Sequence, residues 1–168
     1  MHKMDRRTLL ATLAVAGATT NAAAQPAMQS LAELKKEADV ACLYHCDFGD
    51  PERFVQMLTN IGNHYSAHGA NPFDLQIVIV VHGPGVKFFL ENLDGTSWQN
   101  EKLPADIHDR ISAQAKNGMR VHLCSITFER LKLDRAKARK DEFTSFVPSG
   151  VATVAALQTK GFAYIKIG

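Results

Sequence analysis

The stretch "LQIVIVV", Leu75 to Val81, limits the folds open to this chain more than any other feature. Six of its seven residues are apolar and five are β-branched, with no polar residue in alternation. A strand with one solvated face alternates between apolar and polar positions, whereas an unbroken apolar run suits a strand covered on both faces, as in a parallel sheet with helices on either side. "HGPG" ends the run. The flanking sequence agrees. "DVACLYHC" (Asp39 to Cys46) reads as a strand, and Asp50-Pro51 supplies a helix cap followed by proline at the first helical position. Phe54, Val55, Leu58, Ile61, Gly62 and Tyr65 then recur with helical period, which predicts an amphipathic helix ending near Gly69.

The alternation continues to the end of the chain. Ile107, Ile111 and Ala115 mark a helix within Pro104 to Lys116, closed by Asn117-Gly118 before the strand "MRVHLC" (Met119 to Cys124). "KLDRAKARKDE" (Lys132 to Glu142) reads as a solvated helix face. "FTSFV" is a short strand. Ser149 caps a helix running to Lys160, Gly161 ends it, and "FAYIKI" (Phe162 to Ile167) is the last strand. Strands alternating with helices predict a doubly covered, mainly parallel sheet of about five strands, with ligands beyond the strands' carboxyl ends.

The N-terminus predicts where this domain works. Lys3, Arg6 and Arg7 precede a weakly apolar run from Leu9 to Ala18 and the small-residue site Ala22-Ala23-Ala24, the layout of a signal peptide cleaved after Ala24. The paired arginines before "TLLATLA" resemble a twin-arginine export signal, with the general secretion route as the alternative. The apolar run is about half of what spans a bilayer. Residues 25–168 are therefore expected as one periplasmic domain, free of the membrane after cleavage. The chain's 19 basic and 17 acidic residues include Lys3, Arg6, Arg7 and Asp5 in the signal, so the remainder is neutral and offers no basic face for nucleic acid or an anionic membrane. A hydrophobic fraction of 46% excludes global disorder. No internal repeat, linker or second composition regime is found.

Chemistry-bearing residues cluster in "CLYHCDFGD" (Cys42 to Asp50). In an extended strand Cys42 and Cys46 lie about 13 Å apart on one face, beyond the roughly 7 Å that a disulfide spans, and His45 points to the other face. They can neither bridge each other nor share one zinc, and no metal site or cofactor is expected. Cys42 is expected in the core, and Cys46, at the carboxyl end, nearer the ligand side. Asp50 is explained as a helix cap, so Asp47 and Asp50 make no acid/base pair. Cys124 ends its strand just before "SITFER", where Ser125 or Thr127 can cap a short helix. There the helix dipole and free N–H groups favour thiolate and make a nucleophile or persulfide carrier; a buried structural thiol is the equal alternative. Cys124 to Arg130 has the C-x5-R spacing of oxyanion-binding thiolate loops, but its Ser-Ile-Thr-Phe-Glu interior lacks the small residues such a loop needs, and Glu129 would repel an anion. "HGPGV" either lets backbone amides at Gly83 approach a ligand beside His82 or is simply a turn.

Three segments, "YHCDFGD…NIGNHYSAHG", "IVIVVHGPGVKFFL" and "VHLCSITFERL…FVPSGVATVAALQTKGFAYIKIG", resemble the DsrE/DsrF-like family. The resemblance implies a three-layer α/β/α domain with a parallel five-stranded sheet in the order 4-3-2-1-5, assembled as a trimer or hexamer. It also implies a cysteine that carries sulfane sulfur as a persulfide between donor and acceptor proteins; Cys124 matches that position. Those relays are cytoplasmic, so an exported chain would lack their usual partners. Two functions are expected to compete: a sulfane-sulfur carrier or sulfurtransferase-like protein using Cys124, and a noncatalytic oligomeric periplasmic protein that binds a small ligand near His82, Gly83, Cys46 and Cys124.

Overall fold

The computed structural model describes residues 25–69, 71 and 73–168; the expected signal peptide lies outside them. Among the described residues no helix is long and apolar enough to cross a membrane.

Five strands form one sheet in the order β4-β3-β2-β1-β5, every pair parallel. They are β1 (Val40–Cys46), β2 (Leu75–Val81), β3 (Arg120–Cys124), β4 (Thr144–Val147) and β5 (Ala163–Ile165). The helices are α1 (Pro51–Ala67), α2 (Ile107–Ala115), α3 (Ser125–Arg130) and α4 (Gly150–Thr159). β2 is the central strand, and its unbroken apolar sequence follows from burial on both faces: Ile77, Ile79 and Val81 enter the core shared with Phe54, Met57 and Ile61 of α1, while Val78 and Val80 pack with Leu157 of α4. This is the three-layer α/β/α arrangement.

Local chemistry places the boundaries. Asp50 accepts a hydrogen bond from the Arg53 amide at 2.7 Å and Pro51 opens α1. Ser149 caps α4 by accepting from the Ala152 amide at 3.3 Å. Gly161 follows α4 at φ +88°, in the left-handed region. On α1 the buried stripe is Phe54, Met57, Leu58, Ile61 and Tyr65. Val55 and Gly62 are only partly buried; a β-carbon on Gly62 would stand 3.2 Å from the Gln114 amide nitrogen, so the small residue admits α2.

Two features depart from expectation. Lys132 to Glu142 is not a helix face: only Arg135–Lys137 are helical, as one turn of 3-10 helix. The Asp134 carboxylate accepts from the Ala136 amide, a local bond that competes with helix propagation. The Arg139 amide donates to Phe89 O and the Glu91 amide to Lys137 O, both at 2.9 Å, which stitches the segment to the loop after β2 and buries Ala138. The second feature is an addition at the sheet edge. Ala27 O accepts from the Phe146 amide and the Gln29 amide donates to Phe146 O, both at 2.8 Å, so residues just after the expected cleavage site cover β4's free edge.

Candidate functional site

Side-chain parity along β1 divides its reactive residues between the two faces. Cys42, Tyr44 and Cys46 enter the core under α1, whereas Ala41 and Leu43 pack with α4, and His45 shares their face by alternation. The register carries this parity across the sheet. Val81 pairs with Leu123, so His82 and Cys124 occupy the next positions, side by side on the α4 face at the carboxyl ends of β2 and β3. α4 begins directly over them. A β-carbon on its first residue, Gly150, would lie 2.9 Å from His82 Cβ and 3.2 Å from Cys124 Cβ, distances that only glycine accommodates without a shift.

A hydrogen-bonded chain extends from His82. Its Nε2 stands 2.6 Å from His45 Nε2, and His45 Nδ1 is 2.7 Å from the Tyr164 hydroxyl of β5. Two imidazole nitrogens at that distance require one to donate and the other to accept. When the Tyr164 hydroxyl donates to His45 Nδ1, His45 Nε2–H donates to His82; when His82 donates, His45 Nδ1–H donates to the Tyr164 oxygen. Burial pushes both imidazole pKa values down, opposed at each by Asp47; at His45 the neighbouring His82 and Lys166 lower it further. Burial, with Asp47, pushes the Tyr164 phenol up. All three groups are therefore held neutral near pH 7, which suits the passage of a proton along the chain.

The three thiols differ in setting. All are free and buried. Cys42 and Cys46 have their pKa values pushed up, in both cases chiefly by burial. Cys46 does not join the site: its Sγ lies 3.9 Å from Phe48 O on the opposite face, beneath Gly85, where a β-carbon would come within 2.8 Å of that sulfur. Strand alternation fixed that outcome, and proximity to the strand's end did not override it. Cys124 is 5% exposed and is itself the N-cap residue of α3. Ser125 is the helix's first residue, not its cap, and Thr127 accepts from the Gly83 amide at 3.0 Å. That amide is thereby committed to the turn, and Gly83 adopts φ +55°. His82 and Gly83 border a cleft of about 410 Å³ between the loop after β2 and α3.

His45 and Tyr164 are the site residues that sequence reasoning missed. Parity sent His45 to the face opposite Cys46, and that was correct, but only the strand order and register show that this is the face of His82 and Cys124.

A model of the DsrE/DsrF-like family matches residues 57–167, a span that includes His82, Cys124 and Tyr164 and begins after β1. A search of curated proteins finds no match. Among solved structures, the chain is similar to a protein of unknown function, MTH1491, from Methanobacterium thermoautotrophicum: 22% identity over 76% of this chain and 99% of that one, with a TM-score of 0.60. That likeness concerns the fold. With a family match across four of its five strands and the 4-3-2-1-5 parallel sheet in place, the chain belongs to the DsrE/DsrF-like family.

Proposed function

We propose that this protein is an exported sulfane-sulfur carrier in which Cys124 holds sulfur as a persulfide. The observation that carries the reading is the side-by-side placement of Cys124 and His82 under the start of α4. In the transfer, the Cys124 thiolate attacks the outer sulfur of a donor persulfide R–S–S⁻. The donor S–S bond breaks, R–S⁻ leaves with the electron pair, and Cys124–S–S⁻ forms. His82, with His45 and Tyr164 behind it, takes the thiol proton. The N-terminal turn of α4 offers the positive end of a helix dipole to the anion. Family membership supports the sulfur-relay theme.

The reading includes work in the periplasm with a donor or acceptor protein, and self-association. Met28, Ile126, Leu131 and Val151 are exposed apolar side chains. Ser125 contacts Met28, and Val151 follows Gly150 in α4, so an apolar rim borders Cys124 and supports association with a second copy or a relay partner.

A polysulfide pulse followed by peptide-level mass spectrometry tests the carrier. Cys124 is expected to gain about 32 Da per sulfur, Cys42 and Cys46 none until unfolding, and Cys124→Ser to abolish the gain. Equal protection of all three thiols would overturn the reading. The 5% exposure of Cys124 favours the second reading, a noncatalytic oligomeric protein that binds a small ligand beside His82, and that outcome would leave it standing.

A further inference from the structure

We propose that the cleft beside His82 binds a small organic anion with an apolar body, and that an organic thiosulfonate, R–SO₂–S⁻, is the donor class it selects. The donor assignment rests on the carrier reading; the binding assignment does not.

The walls of the cleft state the chemistry. Trp98, Pro84 and Leu131 give it apolar surface, and Arg130 gives it one cation. Among the described residues no aspartate or glutamate lines it. Arg130 makes no ion pair among the described residues. The neighbouring Glu129, which on sequence would repel an anion, is turned to Arg135 at 3.1 Å. Thr127 and Ser97 add hydroxyl groups, and His82 Nε2 is occupied by His45. One unmatched guanidinium beside an indole and aliphatic surface suits a monoanion carrying an aromatic or aliphatic group. The volume of about 410 Å³ is ample for a substituted benzene.

His82 lines the cleft and stands beside Cys124, which does not itself line it, so the His82 side chain separates a bound anion from the sulfur and the donor's terminal sulfur must reach past it. The Cys124 thiolate attacks the terminal sulfur of R–SO₂–S⁻. The S–S bond breaks, the sulfinate R–SO₂⁻ departs with the electron pair, and Cys124–S–S⁻ forms, with the thiol proton passing to His82. Atoms and charge balance without an added oxidant.

Trp98 is the chain's single tryptophan, so its emission reports on this cleft. The mature protein is titrated with benzenesulfonate, benzenethiosulfonate and neutral benzenesulfonamide. Saturable quenching by both anions, weaker with the sulfonamide, is expected. Arg130→Gln should weaken anion binding about fivefold, the scale of one exposed ion pair. Quenching that does not saturate, or that ignores Arg130→Gln, overturns the binding site. Transfer is followed by mass, with polysulfide in parallel. A persulfide from benzenethiosulfonate supports the donor class. A persulfide from polysulfide alone overturns that class and spares the carrier, and one from neither overturns the carrier reading.

Discussion

His45 and His82 meet Nε2 to Nε2 at 2.6 Å, and a single proton lies between them. A second proton on that axis would set two N–H donors against each other, so acid strong enough to protonate both rings fully must separate them. Both pKa values are lowered by burial, so each imidazole binds protons more weakly folded than unfolded. The resulting stability is present above the ordinary histidine value of about 6.5 and is lost as pH falls through the depressed folded values. Tyr164, Asp47 and Lys166 face the pair, and Asp47 alone among them moderates the shift. NMR titration of the imidazole carbon-bound protons is expected to show both residues titrating below the ordinary range. Two independent titrations near 6.5 would remove the contact. His45→Gln should slow persulfide formation at Cys124 by interrupting the proton path to Tyr164, with little change in anion binding at the cleft.

Gly150→Ala probes the seam between α4 and the site. The added methyl group would meet His82 Cβ at 2.9 Å, His82 Cδ2 at 3.0 Å and Cys124 Cβ at 3.2 Å. Overpacking of this kind costs about 1–3 kcal/mol, against a gain of up to about 1 kcal/mol from replacing glycine in a helix. A net loss of about 1 kcal/mol in urea unfolding is expected, with a severalfold change in Cys124 alkylation rate. The control Ala155→Gly, farther along the same helix, should lower stability and leave the alkylation rate unchanged.

Most of the fold was legible because its signals are local. Asp50-Pro51, Ser149, Gly161 and the β-branched run of β2 each fix an element through the chemistry of a few neighbouring residues. The strand order came from the family resemblance, since nothing local encodes which strands pair. The site was legible only in part for the same reason. Cys124 and His82 were each visible at a strand's end, but their adjacency depends on the register between β2 and β3. His45 and Tyr164 come together from strands whose register is set by tertiary packing. The segment Lys132 to Glu142 defeats a reading from charge alone, because two backbone bonds to the loop after β2, at Lys137 and Arg139, fix it where no local pattern shows them.

The residues after the expected cleavage point contribute to the fold. Ala27 and Gln29 satisfy the Phe146 amide and carbonyl on the edge of β4, an edge that would otherwise be open to pairing between chains. A protein beginning at Gln25 keeps these bonds and one beginning at Leu31 loses both. The shorter form is expected to be less stable by about 1–3 kcal/mol for the two hydrogen bonds and to aggregate faster, as read by urea unfolding and light scattering. Equal behaviour of the two forms would show that the edge needs no cover.

His122 supplies the sharpest pH signature. It lies on β3 at 5% exposure, with Nδ1 2.8 Å from the Ser145 hydroxyl, and burial, reinforced by Arg120, lowers its pKa to about 4. The unfolded chain binds this proton near pH 6.5 and the folded chain near 4, so between those values the unfolded state carries more protons and stability falls as pH falls. The gap corresponds to about 3 kcal/mol lost on going from pH 7 to below 4. His122→Gln retains a side chain able to reach Ser145 and carries no titrating group. Its stability, measured by urea unfolding at pH 7, 5.5 and 4.5, should decline less steeply than that of the parent protein. Other carboxylates and histidines titrate in both proteins, so the difference between the two curves isolates His122. Parallel curves would mean that the His122 ring takes its proton as readily folded as unfolded, and that its burial beside Ser145 does not hold it neutral.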